Sequence, residues 1–185
     1  MTSDETLSQT PRRRFLGGLA SLSALALAAP ASALPSREER ALSFFNTHTS
    51  ERLSLPYFAD GAYIGDALVR LETFLRDFRT GQQHAMDPKL FDLLHDVRQA
   101  TRAKGPFQVI SGYRSPATNA VLHETGGGGV AVHSMHLLGR AIDIRVSDVK
   151  TSVLRDAAKE LRQGGVGYYR DLDFVHVDTG RVRTW

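Results

Sequence analysis

The chain has 185 residues, no cysteine and a formal net charge of +3 at pH 7. The absence of cysteine excludes disulfides, thiolate metal sites and cysteine nucleophiles. Basic residues are scattered along the sequence instead of clustering in one run, which argues against nucleic acid as a partner.

Residues 1–33 are predicted to form a cleavable export signal and not part of the fold. Basic residues in the segment Arg12 to Leu16 precede an apolar run rich in small residues, which ends at Ala31-Ser32-Ala33. This order is typical of a secretory signal, and Arg-Arg-x-Phe-Leu resembles the twin-arginine signal of bacteria. The apolar run is shorter than the ~20 residues that a membrane span needs. We therefore expect one mature domain at 34–185, periplasmic and without a stable membrane span; an uncleaved N-terminal anchor is the alternative.

Two extended segments and two helices are predicted in the first half of the mature chain. A strand is expected at 41–46, and a second extended segment at 52–55. From Asp66 to Phe78, apolar side chains recur at helical spacing, with Asp66 as the predicted cap. Asp87 and Pro88 are typical of the cap and the first position of a second helix.

The second half is predicted to hold most of the strands. The expected elements are a strand at 107–110, a short helix at 115–124, a glycine loop at 126–129, a strand at 141–146, a helix at 148–162, and strands at 166–169 and 174–178. Because helices come early and strands cluster late, we predict a single α+β domain with helices packed on a mostly antiparallel sheet.

Two short stretches carry candidate metal ligands. In SMHLLGRAID, isoleucines alternate with Asp143, so the carboxylate points to the polar face of its strand, and His136 lies in the loop ahead of it. In FVHVD, valines form the core-facing row and leave His176 and Asp178 on the other face. Two histidines and one carboxylate are the ligand set of a catalytic zinc that keeps a fourth position open for water.

A catalytic zinc site also needs a general base and a group that stabilises an oxyanion. Asp173 and Asp178 flank His176 in the sequence and are the candidate bases; Asp178 is also a candidate for orienting the imidazole ring. Arg114, at the end of a predicted strand, is the candidate for holding a carboxylate or carbonyl oxygen.

Three residues are candidates for substrate binding. They are Tyr113 and Arg114 in the segment SGYRS, and Ser134 at the start of SMHLLGRAID. Core or rim packing is the alternative for Tyr113, and a plain ion pair is the alternative for Arg114. His133 is predicted to be a groove or solvent-facing residue.

The motif S-x-H-x-x-G-x-A-x-D at 134–143 resembles the zinc motif of the D-Ala-D-Ala metallopeptidase superfamily, which includes the hedgehog-like fold. Together with SGYRS, GVGYY, FVHVDTG and the early NTHT, it resembles the MepK (YcbK-like) murein endopeptidases, which are exported and cut cross-links in peptidoglycan. The resemblance covers essentially all of the mature chain. It implies a hedgehog/D-Ala-D-Ala peptidase-like fold and peptidoglycan stem peptides as the substrate.

The resemblance also assigns roles to single residues. His136, Asp143 and His176 match the ligands of one Zn²⁺ ion, and Arg114 matches an arginine near the scissile carbonyl in related dipeptidases. Asp173 occupies the place of an acid that relatives outside this branch carry three residues before the last ligand. Asp173 is therefore the predicted base, with Asp178 as a support for the ligand or an alternate base.

The sequence thus predicts an exported zinc peptidase that hydrolyses stem-peptide cross-links. Two alternatives stay open. A D,D- or L,D-carboxypeptidase or dipeptidase would use the same site in a closed pocket, and a non-catalytic peptidoglycan-binding module would keep zinc for structure alone. The sequence gives no indication of a protein partner.

Overall fold

The structure is a computed structural model, and it describes residues 38–125 and 131–185. These residues belong to one compact unit that begins at Ser36. The predicted export signal at 1–33 and the predicted glycine loop at 126–129 lie outside the described residues. Within the described part of the chain, no helix combines the length and apolar character needed to cross a membrane.

The described residues form eight strands, four α-helices and two short 3₁₀ helices. The strands are β1 (Arg40–Asn46), β2 (Arg52–Ala59), β3 (Ala62–Tyr63), β4 (Phe107–Ser111), β5 (Ala141–Val146), β6 (Gly165–Tyr169), β7 (Phe174–Asp178) and β8 (Arg183–Thr184). The helices are α1 (Gly65–Phe74), α2 (Pro88–Thr101), α3 (Pro116–Thr125) and α4 (Thr151–Leu161), with 3₁₀ helices at Met135–Leu138 and Arg170–Leu172.

All eight strands lie in one sheet with the order β3-β2-β1-β4-β5-β7-β6-β8. Neighbouring strands are antiparallel except in two pairs, β1 with β4 and β6 with β8. The β1 and β4 strands can be parallel because the long connection between them, through α1 and α2, carries the chain back across the sheet. The predicted α+β domain with a mostly antiparallel sheet is therefore confirmed.

The hydrophobic core lies on one face of this sheet. Helix α4 packs on β5, β6 and β7, and α2 packs on β1 and on α4. Side chains that alternate along β5 and β7, namely Ile142, Ile144, Val175 and Val177, are fully buried on this face. The opposite face of the same two strands is left for polar side chains, and the candidate metal ligands lie there.

Two predicted helices are shorter than expected because hydrogen bonds to other segments hold the chain in turns. The helix predicted to Phe78 ends at Phe74, and the backbone N–H of Tyr113 donates to the carbonyl oxygen of Leu75 just beyond it, at 2.8 Å. The helix predicted from Asp148 begins only at Thr151, since the Asp148 carboxylate accepts from two backbone N–H groups ahead of β4.

The predicted caps of the first two helices can be compared with the structure. Asp87 caps α2 as predicted, accepting a hydrogen bond from the Lys89 N–H at 3.0 Å, with Pro88 at the first helical position. Asp66 does not cap α1, because that helix starts one residue earlier, at Gly65, with no side-chain cap. The two strands absent from the sequence prediction, β3 and β8, have only two residues each and so show no period.

A buried aspartate fixes the turn that precedes Arg114. Asp77 is almost fully buried, and its carboxylate accepts from the backbone N–H groups of Ser115 and Arg79, each at 2.9 Å. Burial alone would raise the pKa of Asp77, but the hydrogen bonds that Ser115, Thr118 and Arg79 provide hold it below its usual range.

We expect Asp77→Asn to lower the free energy of unfolding at pH 7 by about 1–3 kcal/mol. The carboxylate accepts hydrogen bonds at both of its oxygens, whereas the amide has a single oxygen acceptor. The pKa of Asp77 is lower in the folded than in the unfolded chain, so the unfolded chain binds more protons in acid. The wild-type advantage should therefore be present above about pH 4 and shrink below it. Urea unfolding at pH 7, 5 and 3 measures this.

The matched control is Asp171→Asn, at an exposed position, which should leave the free energy of unfolding unchanged. Equal stability of the Asp77→Asn and wild-type proteins at pH 7 would contradict the role assigned to this carboxylate.

Candidate active site

The pairing of β5 with β7 brings two of the three predicted metal ligands together. Asp143 and His176 are direct partners in the antiparallel register, and both point to the face opposite the aliphatic core. His136 comes from the 3₁₀ helix just before β5, where the Ser134 hydroxyl accepts from the His136 N–H at 3.3 Å. Gly139 ends this turn with φ +64, and a Cβ there would lie 2.1 Å from the carbonyl oxygen of Ala85.

The donor atoms of His136, Asp143 and His176 all lie within 4.8 Å of one another. His136 Nε2 is 3.1 Å from His176 Nδ1, and Asp143 Oδ1 is 2.9 Å from His176 Nδ1 and 3.3 Å from His136 Nε2. Nitrogen and oxygen donors bonded at about 2.0–2.1 Å to one tetrahedral ion lie roughly 3.3 Å apart. The three side chains, which we call the donor triad, therefore fit a single zinc-sized cation.

The remaining ring nitrogen of each histidine is held by a second partner. His136 Nδ1 lies 2.7 Å from the Gly112 carbonyl oxygen and donates to it. His176 Nε2 lies 3.0 Å from Asp178 Oδ2 and donates to it. These contacts leave His136 Nε2 and His176 Nδ1 directed at Asp143, which is the usual arrangement of histidine ligands oriented by outer partners.

The donor triad is buried, and its charges are balanced internally. Burial lowers the pKa of His136, which favours the neutral imidazole that a metal requires. For Asp143, burial would raise the pKa, but the two neighbouring histidines hold it below its usual range. For His176, burial would lower the pKa, but hydrogen bonds to Asp143 and Asp178 raise it to about 9. The carboxylate and the two imidazoles therefore influence one another's protonation within the buried triad.

Asp178 lies behind His176 and does not face the cavity. It is fully buried, and besides His176 it accepts from Arg183 at 2.8 Å and from the backbone N–H groups of Gly165 and Gly180. Burial would raise the pKa of Asp178, but its bonds to His176 and Arg183 lower it. The Asp178 carboxylate therefore contacts the His176 ring on the side away from the cavity.

The donor triad opens into a cavity of about 470 Å³. Besides the triad, its polar lining comprises Arg114, His133, Ser134 and Arg183. Its apolar lining is contributed by Ala131, Met135, Tyr169, Leu172, Phe174 and Trp185. Leu172 is 67% exposed and Trp185 is 51% exposed, so the rim of the cavity is open to solvent.

Arg114 lies at the wall of this cavity with few partners. Its Nη2 is 3.6 Å from Asp143 Oδ2, and its hydrogen bonds to Asn119 and Ser111 are long, at 3.4 and 3.5 Å. Arg114 Nε is buried and has no hydrogen-bond partner among the described residues. Burial also lowers the pKa of Arg114. A buried guanidinium with unused donors is a binding group for an oxygen of a ligand.

Two predicted site residues lie away from the cavity. Tyr113 is buried, and its ring stacks on His84 with centroids 4.9 Å apart. Asp173 has a left-handed backbone, and its carboxylate accepts from the Thr151 hydroxyl at 2.9 Å, near the start of α4. Asp173 lines a separate pocket on the Arg145 side of the sheet. The structure thus joins Arg114 and Ser134 to the donor triad and leaves Tyr113 and Asp173 outside.

The structure also adds site residues that the sequence did not suggest. Arg183 and Trp185 line the cavity from strand β8 and the residue that follows it. A two-residue strand has no periodicity, so the local sequence pattern does not indicate that Arg183 and Trp185 line the cavity. His133, predicted to be a groove residue, does lie in the cavity lining.

Comparison with known proteins assigns the chain to a family. A family model described as peptidoglycan L,D-endopeptidase MepK matches residues 34–185. The chain belongs to this peptidase family. It is 41% identical to the peptidoglycan L,D-endopeptidase MepK of Escherichia coli (strain K12) over 177 residues, 94% of this chain and 96% of the relative. It is 42% identical to the probable peptidoglycan L,D-endopeptidase MepK of Haemophilus influenzae over 147 residues, 79% of this chain and 78% of the relative.

No solved structure matches the chain at a significant level. The family match confirms the predicted resemblance and the prediction that the chain is an enzyme, a peptidase. The donor triad fits the metal-dependent character expected of this family.

We expect Asp178→Asn to weaken zinc binding by about 10- to 100-fold, because the His176 ring loses the anionic partner that orients it. Competition for zinc with a chromophoric chelator measures the affinity, and thermal unfolding of the metal-free protein reports any loss of the fold. Asp156→Asn is the matched control, since Asp156 also pairs with an arginine but lies on the surface of α4. Equal zinc affinities for the two variants would show that Asp178 does not support the ligand.

Proposed function

We propose that this chain is an exported, zinc-dependent peptidoglycan endopeptidase that hydrolyses cross-links between stem peptides. The observation that carries the proposal is the buried donor triad, His136, Asp143 and His176, opening into a cavity beside Arg114, whose buried Nε has no partner among the described residues. The substrate class follows from the relatives, which are named peptidoglycan L,D-endopeptidases. The bond we propose is therefore a peptide bond between an L- and a D-configured centre.

Zinc is the proposed metal because two imidazoles and one carboxylate match its catalytic ligand set, with no thiolate available in the chain. In such a site zinc polarises a carbonyl and lowers the pKa of water to about 7. The residues around the site have separate tasks: the triad holds the metal, while Asp178 and the Gly112 carbonyl fix the two rings.

Arg114 is proposed to hold the carbonyl oxygen of the scissile bond as that oxygen gains negative charge. Its guanidinium is buried, lies 3.6 Å from Asp143, and has a donor without a partner among the described residues. A preformed donor in a site that excludes water acts more strongly on developing charge than on the neutral carbonyl. Ser134, which lines the same cavity, is proposed to contact the substrate backbone.

The proton acceptor is proposed to be His133. Neither predicted base lines the cavity: Asp173 contacts Thr151, and Asp178 is fully buried behind His176. His133 is exposed and lines the cavity, and imidazole is the most common general acid and base in enzymes. It would take the proton of the attacking water and return it to the leaving amine.

The open rim favours an endopeptidase over a carboxypeptidase. A peptidase that trims a free C-terminus needs a closed pocket around that carboxylate, whereas Leu172 and Trp185 leave this cavity open at the side. A cross-linked substrate extends in both directions from the scissile bond and needs such an opening.

The periplasmic location is a separate part of the proposal and rests on the twin-arginine-type segment at 1–33.

We expect the purified mature protein to cleave cross-linked muropeptide dimers into monomers, and to lose this activity with a chelator and regain it with zinc. His176→Ala should reduce cleavage by about 10³-fold or more, since the ligand set is broken. Mass spectrometry of the products identifies the bond that is cut. Unchanged cleavage by His176→Ala, or cleavage that survives complete removal of the metal, would defeat the proposal.

Two variants test the proton acceptor. His133→Gln should lower kcat by about 100-fold, while Asp173→Asn should keep kcat within about twofold. Zinc content measured on both proteins shows whether the metal site is intact. The opposite pattern, with Asp173→Asn inactive and His133→Gln active, would assign the base to Asp173.

A further inference from the structure

One side of the cavity is an aromatic wall next to the donor triad, formed by Tyr169, Phe174 and Trp185. The Tyr169 and Phe174 rings stack with centroids 4.5 Å apart, and the Trp185 indole N–H donates to the Tyr169 hydroxyl at 3.1 Å. The indole lies 5.2 Å from the ring of His176, centroid to centroid. An apolar surface therefore borders the place where a scissile bond would lie.

Trp185 is held firmly although it is exposed. Its backbone pairs with β6 through Val166 and Tyr168, at 3.2 and 3.1 Å. The Arg183 guanidinium lies 4.8 Å from the indole centre and is itself fixed by Asp178. The indole also occupies the space where a side chain on Gly167 would be, since a Cβ there would lie 2.6 Å from the indole ring.

A large aromatic ring that is fixed by its neighbours and still 51% exposed offers a ready-made surface for a ligand. The ring needs no reordering when a ligand packs on it, so little conformational entropy is lost on binding. The exposed side chain of Leu172 extends the same apolar surface along the cavity rim.

We propose, on the basis of the function proposed above, that Trp185 is a substrate-binding residue whose indole packs against an aliphatic side chain of the stem peptide beside the scissile bond. The indole and the His176 ring lie 5.2 Å apart, centroid to centroid, so a substrate bound at the donor triad would bring a neighbouring side chain close to the indole. An aliphatic side chain suits this apolar wall better than a polar sugar ring does.

Trp185 is the single tryptophan of the chain, so intrinsic fluorescence reports on this surface directly. We titrate the metal-free protein, which cannot turn over substrate, with sugar-free cross-linked dimers. The expected result is a saturable shift of emission to shorter wavelength as the indole loses water. A linear peptide of the same backbone with glycine at the positions beside the scissile bond should give no shift. A shift with the free disaccharide but not with the sugar-free dimer would overturn the proposal.

Steady-state kinetics give the second test. Trp185→Ala should raise KM for the dimer about five- to tenfold with little change in kcat, and Trp185→Phe should recover most of the loss. Zinc content should equal that of the wild type in both variants. Val182→Ala is the matched control, because Val182 is a half-exposed apolar residue of the same segment outside the cavity lining. An unchanged KM in Trp185→Ala would overturn the proposal.

A double-mutant cycle separates binding from packing. Gly167→Ala alone should displace the indole and raise KM about as much as Trp185→Ala does. In the Trp185→Ala background the same change should add nothing, because the ring it would strike is gone. Additive effects of the two substitutions on KM would contradict the placement of the indole as the binding surface.

These experiments fail separately from those on the function. If wild-type protein with zinc does not cleave dimers, the proposed function falls. If it cleaves them while the fluorescence titration and the Trp185→Ala kinetics show no effect, the function stands and the role of Trp185 falls.

Discussion

The register between β5 and β7 is the constraint on which the site depends. It places Asp143 opposite His176 on one face, and on the other face it places Ile144 opposite Val175. Because the side-chain period of a strand is two residues, a slip by one residue would turn both donors into the aliphatic core. Each fully buried aliphatic side chain contributes about 1.5–3 kcal/mol, so the packing face holds the register that assembles the polar face.

Burying the polar face costs free energy when no ligand is bound. Ion pairs among its side chains offset part of that cost. Buried charges are tolerated only when paired and hydrogen-bonded, and Asp143 is paired by His176 and His136 while Asp178 is paired by Arg183. Arg114 is the incomplete member, with a buried Nε that no described residue satisfies. A buried guanidinium with one unsatisfied N–H beside the donor triad is suited to bind an oxygen of a ligand.

Local patterns were sufficient to predict which face of each strand carries the candidate metal ligands, because alternation along a strand is a property of neighbouring residues. The sequence therefore predicted that Asp143 and His176 share a polar face, and the structure brings their donor atoms to 2.9 Å. It did not predict which strands are neighbours, since the parallel pairing of β1 with β4 depends on contacts distant in the chain. Nor could periodicity apply to Asp173, which follows a 3₁₀ helix in a left-handed conformation that turns its carboxylate towards Thr151.

Strand β8 explains why Asp178 differs from its expected exposure. Parity placed Asp178 on the site face, but Arg183 from β8 covers its carboxylate and leaves it fully buried. The same guanidinium lies against the indole of Trp185. One cation therefore joins the group that orients His176 to the aromatic wall of the cavity.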